Sequence, residues 1–170
     1  SDEDTFILNM SNIIIKDNLF NQEEKENIYN FCKTANYKRL ESDGLGLPYT
    51  GLVFQFDLNH PIVKLILKKL NLKDLQLDRA YINLFLQGEK PFFHQDNTQL
   101  GYKTLLYYVN TEPKNIHELG ETYFFINNEV KGIQPLPGRV IIFDAEIFHR
   151  ASSLRNYDRF TIAFKWKGQQ

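Results

Sequence analysis

The sequence predicts a mainly β fold with flanking helices, and two observations carry that reading. Helical patterning is confined to about residues 22–71, in the first half of the chain. From about residue 78 the chain turns into short runs rich in Tyr, Phe, Ile and Val, several of them separated by Gly or Pro. Helices first and antiparallel strands afterwards give a β-sandwich with helices packed outside it. A jelly roll is one closed solution for such strands, and periodicity alone does not choose it over another sandwich.

Taken in order, Ile13, Ile14, Ile15, Leu19 and Phe20 suggest an opening strand over 12–20. Asn21 then reads as a helix cap, with Glu24 at the capping-box position. Ile28, Phe31, Cys32 and Ala35 follow at helical spacing, which predicts a helix over 22–36 with one apolar stripe. The stretch ESDGLGLPYTG, residues 41–51, holds three glycines and a proline and reads as a loop. Gly44, Gly46 and Gly51 give it backbone freedom, while Leu45, Leu47 and Tyr49 suit an apolar surface. It is expected either to close over a substrate or simply to tether the helices to the sandwich. A strand at 52–57 precedes a second helix that starts at Pro61 and carries Ile62, Leu65, Ile66 and Leu70. The later strands are expected at 78–86, 102–109, 121–126, 139–144, 147–152 and 159–166.

Size and charge narrow the class. A chain of 170 residues with 42% hydrophobic residues is expected to form one domain over 1–170 with a real core. A formal net charge of −1 argues against a general nucleic-acid footprint. No apolar run approaches the ~20 residues that span a bilayer, and no membrane partner is expected. The acidic start SDEDTFILNM does not resemble a signal peptide. Cys32 is the one cysteine, so no internal disulfide can form, and a reducing, cytoplasmic setting is expected. Its place on the helix stripe reads as a buried structural thiol. The sequence says nothing of oligomeric state.

The chemistry is concentrated in FFHQDN, EIFHRAS and NYDRFTIAFKW. His94 and Asp96 are two positions apart, so on extended chain both side chains take one face and can converge on one ion. His149, from a distant strand, closes the set. Two imidazoles and one carboxylate suit Fe(II), and also Zn(II) or Mn(II), and leave the remaining coordination positions open. His60, before Pro61, reads as a helix-start residue, and His117, in the polar TEPKNIHELG, as exposed. Arg159 is an inward arginine on a core strand and needs an anionic partner. Its planar fork suits a carboxylate, and Thr161 on the same face adds a hydroxyl. In TLLYYVN, Thr104, Leu106 and Tyr108 share one face and Tyr107 takes the other. Tyr81 and Asn83 share a face one strand earlier and, with Thr122 and Ala151, are expected to line the space around these groups, while Trp166 reads as packing.

Jointly, RAYINLFLQGEKPFFHQDN, TLLYYVN, LGETYFF, LPGRVIIFDAEIFHRA and RFTIAFKW resemble the 2-oxoglutarate/Fe(II)-dependent oxygenase superfamily, in particular its prolyl-4-hydroxylase-like branch. The resemblance covers about residues 78–166, and residues 1–77 carry no recognisable motif. It implies a double-stranded β-helix, or jelly roll, with Fe(II) held by His94, Asp96 and His149. It implies 2-oxoglutarate and O2 as cosubstrates, with succinate and CO2 formed as a substrate C–H bond is hydroxylated. Arg159 and Thr161 are similar to the family's site for the far carboxylate, and Tyr108 is the phenol that would reach the same group. Related halogenases have a small residue where this chain has Asp96, so hydroxylation fits better.

The substrate stays open. A protein or peptide side chain is one class, with proline the family-based favourite, and a free amino acid or small metabolite is another. A metal-binding jelly roll without oxygenase activity is the different class. The Arg159-x-Thr161 pair speaks against it, since a simple metal site needs no anchor for a diacid.

Overall fold

Alternation along three neighbouring strands organises the molecule. In the structure, a computed structural model, residues 5–8, 13–39, 42–113 and 116–168 are described. Ten strands and two α-helices are assigned among them: β1 Thr5–Leu8, β2 Ile13–Lys16, α1 Gln22–Thr34, β3 Leu52–Gln55, α2 Pro61–Lys69, β4 Arg79–Phe85, β5 Tyr102–Tyr108, β6 Thr122–Ile126, β7 Glu129–Ile133, β8 Val140–Asp144, β9 Phe148–Arg150 and β10 Arg159–Lys167. They form a seven-stranded sheet in the order β1-β2-β8-β5-β10-β4-β3 and a three-stranded sheet β7-β6-β9. Every pairing is antiparallel.

On the central strands β4, β5 and β10, Ala80, Ile82, Leu84, Leu105, Tyr107, Phe160, Ile162, Phe164 and Trp166 belong to one cluster, shared with Ile28, Cys32, Val63 and Ile66 of the helices. The alternate positions Tyr81, Leu106, Tyr108 and Ala163 join a second cluster with Phe124 and Ile133 of the small sheet. Period two thus sends one set of side chains to the helices and the other between the sheets. A sheet covered on both faces explains why these strands read as near-continuous apolar runs. The polar residues Thr104, Arg159 and Thr161 occur on the inner face, where a site can be built.

Local signals set the helices. Asn21 Oδ1 accepts from the Glu24 amide at 2.8 Å, and Glu24 Oε1 accepts from the Asn21 amide at 2.9 Å, a complete capping box. His60 caps α2 as expected, its Nδ1 accepting from the Ile62 amide at 3.1 Å. Cys32 is buried, and burial pushes its thiol well above the ordinary range, as suits a structural residue. His117 is exposed, and Trp166 packs in the helix-side core.

Some boundaries differ from expectation. The opening strand is shorter than 12–20, because Asn18 takes φ 60° and turns the chain before Leu19; residue 12 lies outside the described residues. The strand expected over 147–152 pairs only over Phe148–Arg150. Two strands, β1 and β7, form where the sequence pattern predicts none.

Ile82 is fully buried on β4 between β10 and β3. Ile82→Ala is expected to cost about 2–5 kcal/mol, the range for deleting a buried branched side chain. Urea denaturation checks this, and a loss below about 1 kcal/mol would place Ile82 outside the core.

Candidate active site

His94 and His149 face each other across a small bridge. The His94 amide donates to the His149 carbonyl and the His149 amide to the His94 carbonyl, both at 3.0 Å. This joins the 92–96 segment to β9 and so to the small sheet. The Asp96 amide donates to Ala145 O at 2.8 Å, which brings its side chain beside both rings. Asp96 Oδ1 lies 3.3 Å from His94 Nε2, and Asp96 Oδ2 lies 3.3 Å from His149 Nε2.

The donor set fits one metal ion. One ligand atom from each of the three residues lies within 4.8 Å of the others. Two atoms each about 2.1 Å from an ion, at roughly right angles, are about 3.0 Å apart, close to the spacing seen. Both rings are oriented by the other nitrogen: His94 Nδ1 is 3.0 Å from Phe92 O and His149 Nδ1 is 2.8 Å from Ile147 O. A carbonyl only accepts, so each Nδ1 carries hydrogen and each Nε2 is left for a cation. Phe124 and Phe143 pack on the His149 ring, with centroids 5.9 and 4.8 Å away.

Burial works against ionisation of Asp96, but the Lys165 ammonium and the two imidazoles outweigh it and hold the carboxyl well below the usual range. Burial would lower His94, yet its hydrogen bond and attraction to Asp96 raise it. The Lys165 ammonium contacts Asp96 Oδ2 directly and lies 3.1 Å from Thr104 Oγ1, and the Thr104 hydroxyl donates to the same Asp96 oxygen at 2.6 Å. Lys165 was missed in the sequence. The signal was present: in RFTIAFKW, Lys165 falls on the same strand face as Arg159, Thr161 and Ala163.

A cavity of 470 Å³ joins this cluster to Arg159. Of the residues singled out in the sequence, Tyr81, Asn83, His94, Asp96, Leu106, Thr122, His149, Ala151, Arg159 and Thr161 line it. Thr104 lies at the metal end, against Asp96, and is not on the cavity wall. Tyr108 lines a neighbouring cavity of 340 Å³, which also reaches Arg159.

Arg159 is 2% exposed. Its Nε donates to Gly120 O at 2.9 Å and its NH2 to Thr122 Oγ1 at 3.1 Å. Gly120 has φ 87°, and a Cβ there would lie 2.5 Å from Leu154 Cδ2, so this carbonyl needs glycine to reach the guanidinium. Tyr108 Oη donates to Thr122 Oγ1 at 2.6 Å, and burial raises its pKa, so the phenol keeps its hydrogen. Burial lowers the Arg159 pKa, partly offset by Tyr108 and Glu121, but a guanidinium stays charged in a protein. Among the described residues, no carboxylate is in ion-pair contact with it.

No protein-family model matches the sequence, and no curated protein matches it. Solved structures do match. A Pseudomonas putida prolyl-4-hydroxylase aligns with a TM-score of 0.74 at 11% identity, covering 95% of this chain and 95% of that one. A Trichoplax adhaerens prolyl hydroxylase, in complex with a peptide of the hypoxia inducible factor oxygen degradation domain, aligns at 0.71 and 15%, covering 94% and 85%. HygX of Streptomyces hygroscopicus, with nickel, 2-oxoglutarate and hygromycin B bound, aligns at 0.70 and 13%, covering 94% and 84%. The fold is therefore the double-stranded β-helix of the 2-oxoglutarate/Fe(II) oxygenases. The similar structures include prolyl-4-hydroxylases, and the donor chemistry of His94, Asp96 and His149 would fit iron.

Proposed function

We infer that this chain is a 2-oxoglutarate- and Fe(II)-dependent dioxygenase that acts as a hydroxylase, over one domain spanning 1–170. One observation carries the reading: a single cavity holds both the His94, Asp96 and His149 cluster and a buried guanidinium that, among the described residues, has no carboxylate in ion-pair contact. A buried cation in that state calls for an anion. A diacid that chelates the metal at one end and meets Arg159 at the other satisfies both groups.

When bound, Fe(II), 2-oxoglutarate and O2 supply the oxidising chemistry, which couples decarboxylation of the diacid to hydroxylation of a C–H bond. The chain's residues hold and orient. His94 Nε2, His149 Nε2 and an Asp96 oxygen would hold one ion, while Lys165 and Thr104 fix the Asp96 carboxylate. Arg159 would donate to the far carboxylate of the cosubstrate, with Thr161 beside it. Thr122 Oγ1 already accepts from Tyr108 and Arg159, so its own hydrogen is left for an acceptor in the cavity. Tyr108 thus acts through Thr122. Tyr81, Asn83 and Leu106 shape the wall, and Ala151 and Ala163 leave it room.

The favoured substrate is a protein or peptide side chain, with proline first. The similar prolyl hydroxylase structures support this, as do the exposed Leu45 and Tyr49 on the loop that contributes to the cavity wall. A small polar metabolite is the second reading. The likeness to HygX with hygromycin B favours it, as does a wall carrying Asp43, Asp78, Arg79, Gln95 and Asn97. Among the described residues no helix is long and apolar enough to cross a membrane. A single cysteine, buried and reduced, supports a cytoplasmic setting.

The test is succinate release with Fe(II), 2-oxoglutarate and O2, screened against proline-containing peptides, free amino acids and aminoglycosides. Iron-dependent succinate that rises with one of these classes is the expected result. No iron-dependent succinate with any of them would return the protein to a metal-binding jelly roll without oxygenase activity.

A further inference from the structure

We propose that Asp43 is a positioning residue for the metal ligand His94, and that it clips the loop of residues 42–51 to the metal centre, so that metal binding and loop docking are coupled. The proposal rests on the metal reading above and adds a residue and a coupling to it.

The loop is mostly a surface excursion: Leu45 is fully exposed and Tyr49 is 56% exposed. The Asp43 side chain is the contrast, at 11%. Its Oδ1 lies 3.3 Å from His94 Nδ1. Its Oδ2 accepts from the Phe92 amide at 2.6 Å and from the Thr50 hydroxyl at 3.1 Å. One carboxylate therefore meets both ends of the loop, the start of the 92–96 segment and the ring of a metal ligand. The base of the loop is fixed separately. Arg39 NH1 donates to Tyr49 O at 3.2 Å, and the Gly51 amide donates to Glu89 Oε1 at 2.9 Å. Gly51 has φ 73°, and a Cβ there would lie 2.9 Å from the Phe85 ring, so the loop must rejoin β3 through glycine. What these anchors leave to Asp43 is the inner face, where Ser42, Asp43, Gly44 and Thr50 form part of the cavity wall.

The two histidines are treated differently. His149 Nδ1 has the Ile147 carbonyl at 2.8 Å as its partner. His94 Nδ1 has a carbonyl, Phe92 O at 3.0 Å, and the Asp43 carboxylate as well. Phe92 O takes the Nδ1 hydrogen and fixes the ring, and the carboxylate charge beside it makes Nε2 a better donor to a metal. The His94 side chain is also the more open of the two, 23% exposed against 7% for His149, so it has more need of an outside partner. If the Asp43 contact favours metal binding, thermodynamic reciprocity requires that metal binding favour the docked loop. The loop that shapes the substrate side is then drawn in when the metal site fills.

The experiment uses Mn(II) as probe, an ion that takes the same nitrogen and oxygen ligands. Asp43→Ala is expected to bind Mn(II) about tenfold more weakly, at the low end of what losing such a partner costs. In the unaltered protein, Mn(II) should slow amide exchange across residues 42–50. In Asp43→Ala that slowing should disappear, while exchange in β10 stays as it was. Asp43→Asn keeps the volume and one acceptor but loses the charge, and should fall between the two. Wild-type Mn(II) affinity in Asp43→Ala, or loop exchange in the unaltered protein that ignores Mn(II), overturns the proposal. So does an Asp43→Ala protein that is merely less stable and keeps the metal-dependent slowing. If His149→Ala also binds Mn(II) undiminished, the metal reading itself has failed, and the two failures are told apart.

Discussion

His149→Ala should lose metal binding by at least about 100-fold, beyond the 10–100-fold that an outer partner costs, and iron-dependent turnover with it. The reason is geometric. His149 supplies one of three donor atoms that lie within 4.8 Å of one another, and it is the one from the far strand. Without it, His94 and Asp96 offer two ligands on one short segment, too few to hold an ion against water. The fold should survive, since the bridge to His94 is made by backbone groups that alanine keeps. Asp96→Asn is the volume-preserving companion. Anaerobic titration with Mn(II), beside near-ultraviolet circular dichroism, reads both points. Unchanged affinity in folded His149→Ala removes His149 from the site.

Arg159 carries the second large effect. Arg159→Leu should weaken 2-oxoglutarate binding by about 2–5 kcal/mol, roughly 30-fold or more, the cost of truncating one partner of a buried charge pair. Arg159→Lys keeps the charge but loses the fork that also reaches Gly120 O and Thr122, so it should fall between wild type and leucine. Metal affinity should change little in either variant. Calorimetry at saturating Mn(II) measures the cosubstrate, and equal 2-oxoglutarate affinity in all three proteins would remove Arg159 from the pocket.

Much of the fold was legible because its strongest signals are local. The capping box at Asn21 and Glu24 and the proline start of α2 are short-range chemistry, and both stand as read. The faces of β4, β5 and β10 followed from alternation, which put Arg159, Thr161 and Leu106 on the cavity side. What escaped lacked such a pattern. In β7, EVKGI is an exposed edge strand with a glycine, which leaves little apolar alternation to find. Its real signal was the turn before it, where Asn127 and Asn128 take φ 52° and 63° as two-residue hairpins require. Among the described residues, β1 pairs with β2 alone, at the edge of the large sheet.

The site divides along the same line. The candidate ligand residues and Arg159, which the structure brings into one cavity, stood out by residue type and spacing. Lys165 sat in plain alternation behind an apolar run. Asp43 could not have been found, since its contacts to Phe92 and His94 join a glycine-rich loop to a segment 49 residues on. Thr104 and Tyr108 faced inward as read, but face alone does not say which end of the interior a residue reaches. Thr104 supports Asp96, and Tyr108 reaches Arg159 through Thr122.

On the proposed reading, the metal cluster and Arg159 are two ends of one binding site. Anaerobic calorimetric titration of 2-oxoglutarate, with and without Fe(II), tests it most directly. One equivalent should bind when iron is present, and binding should be at least about tenfold weaker when it is removed. Binding of equal strength without iron, or none in its presence, would contradict it.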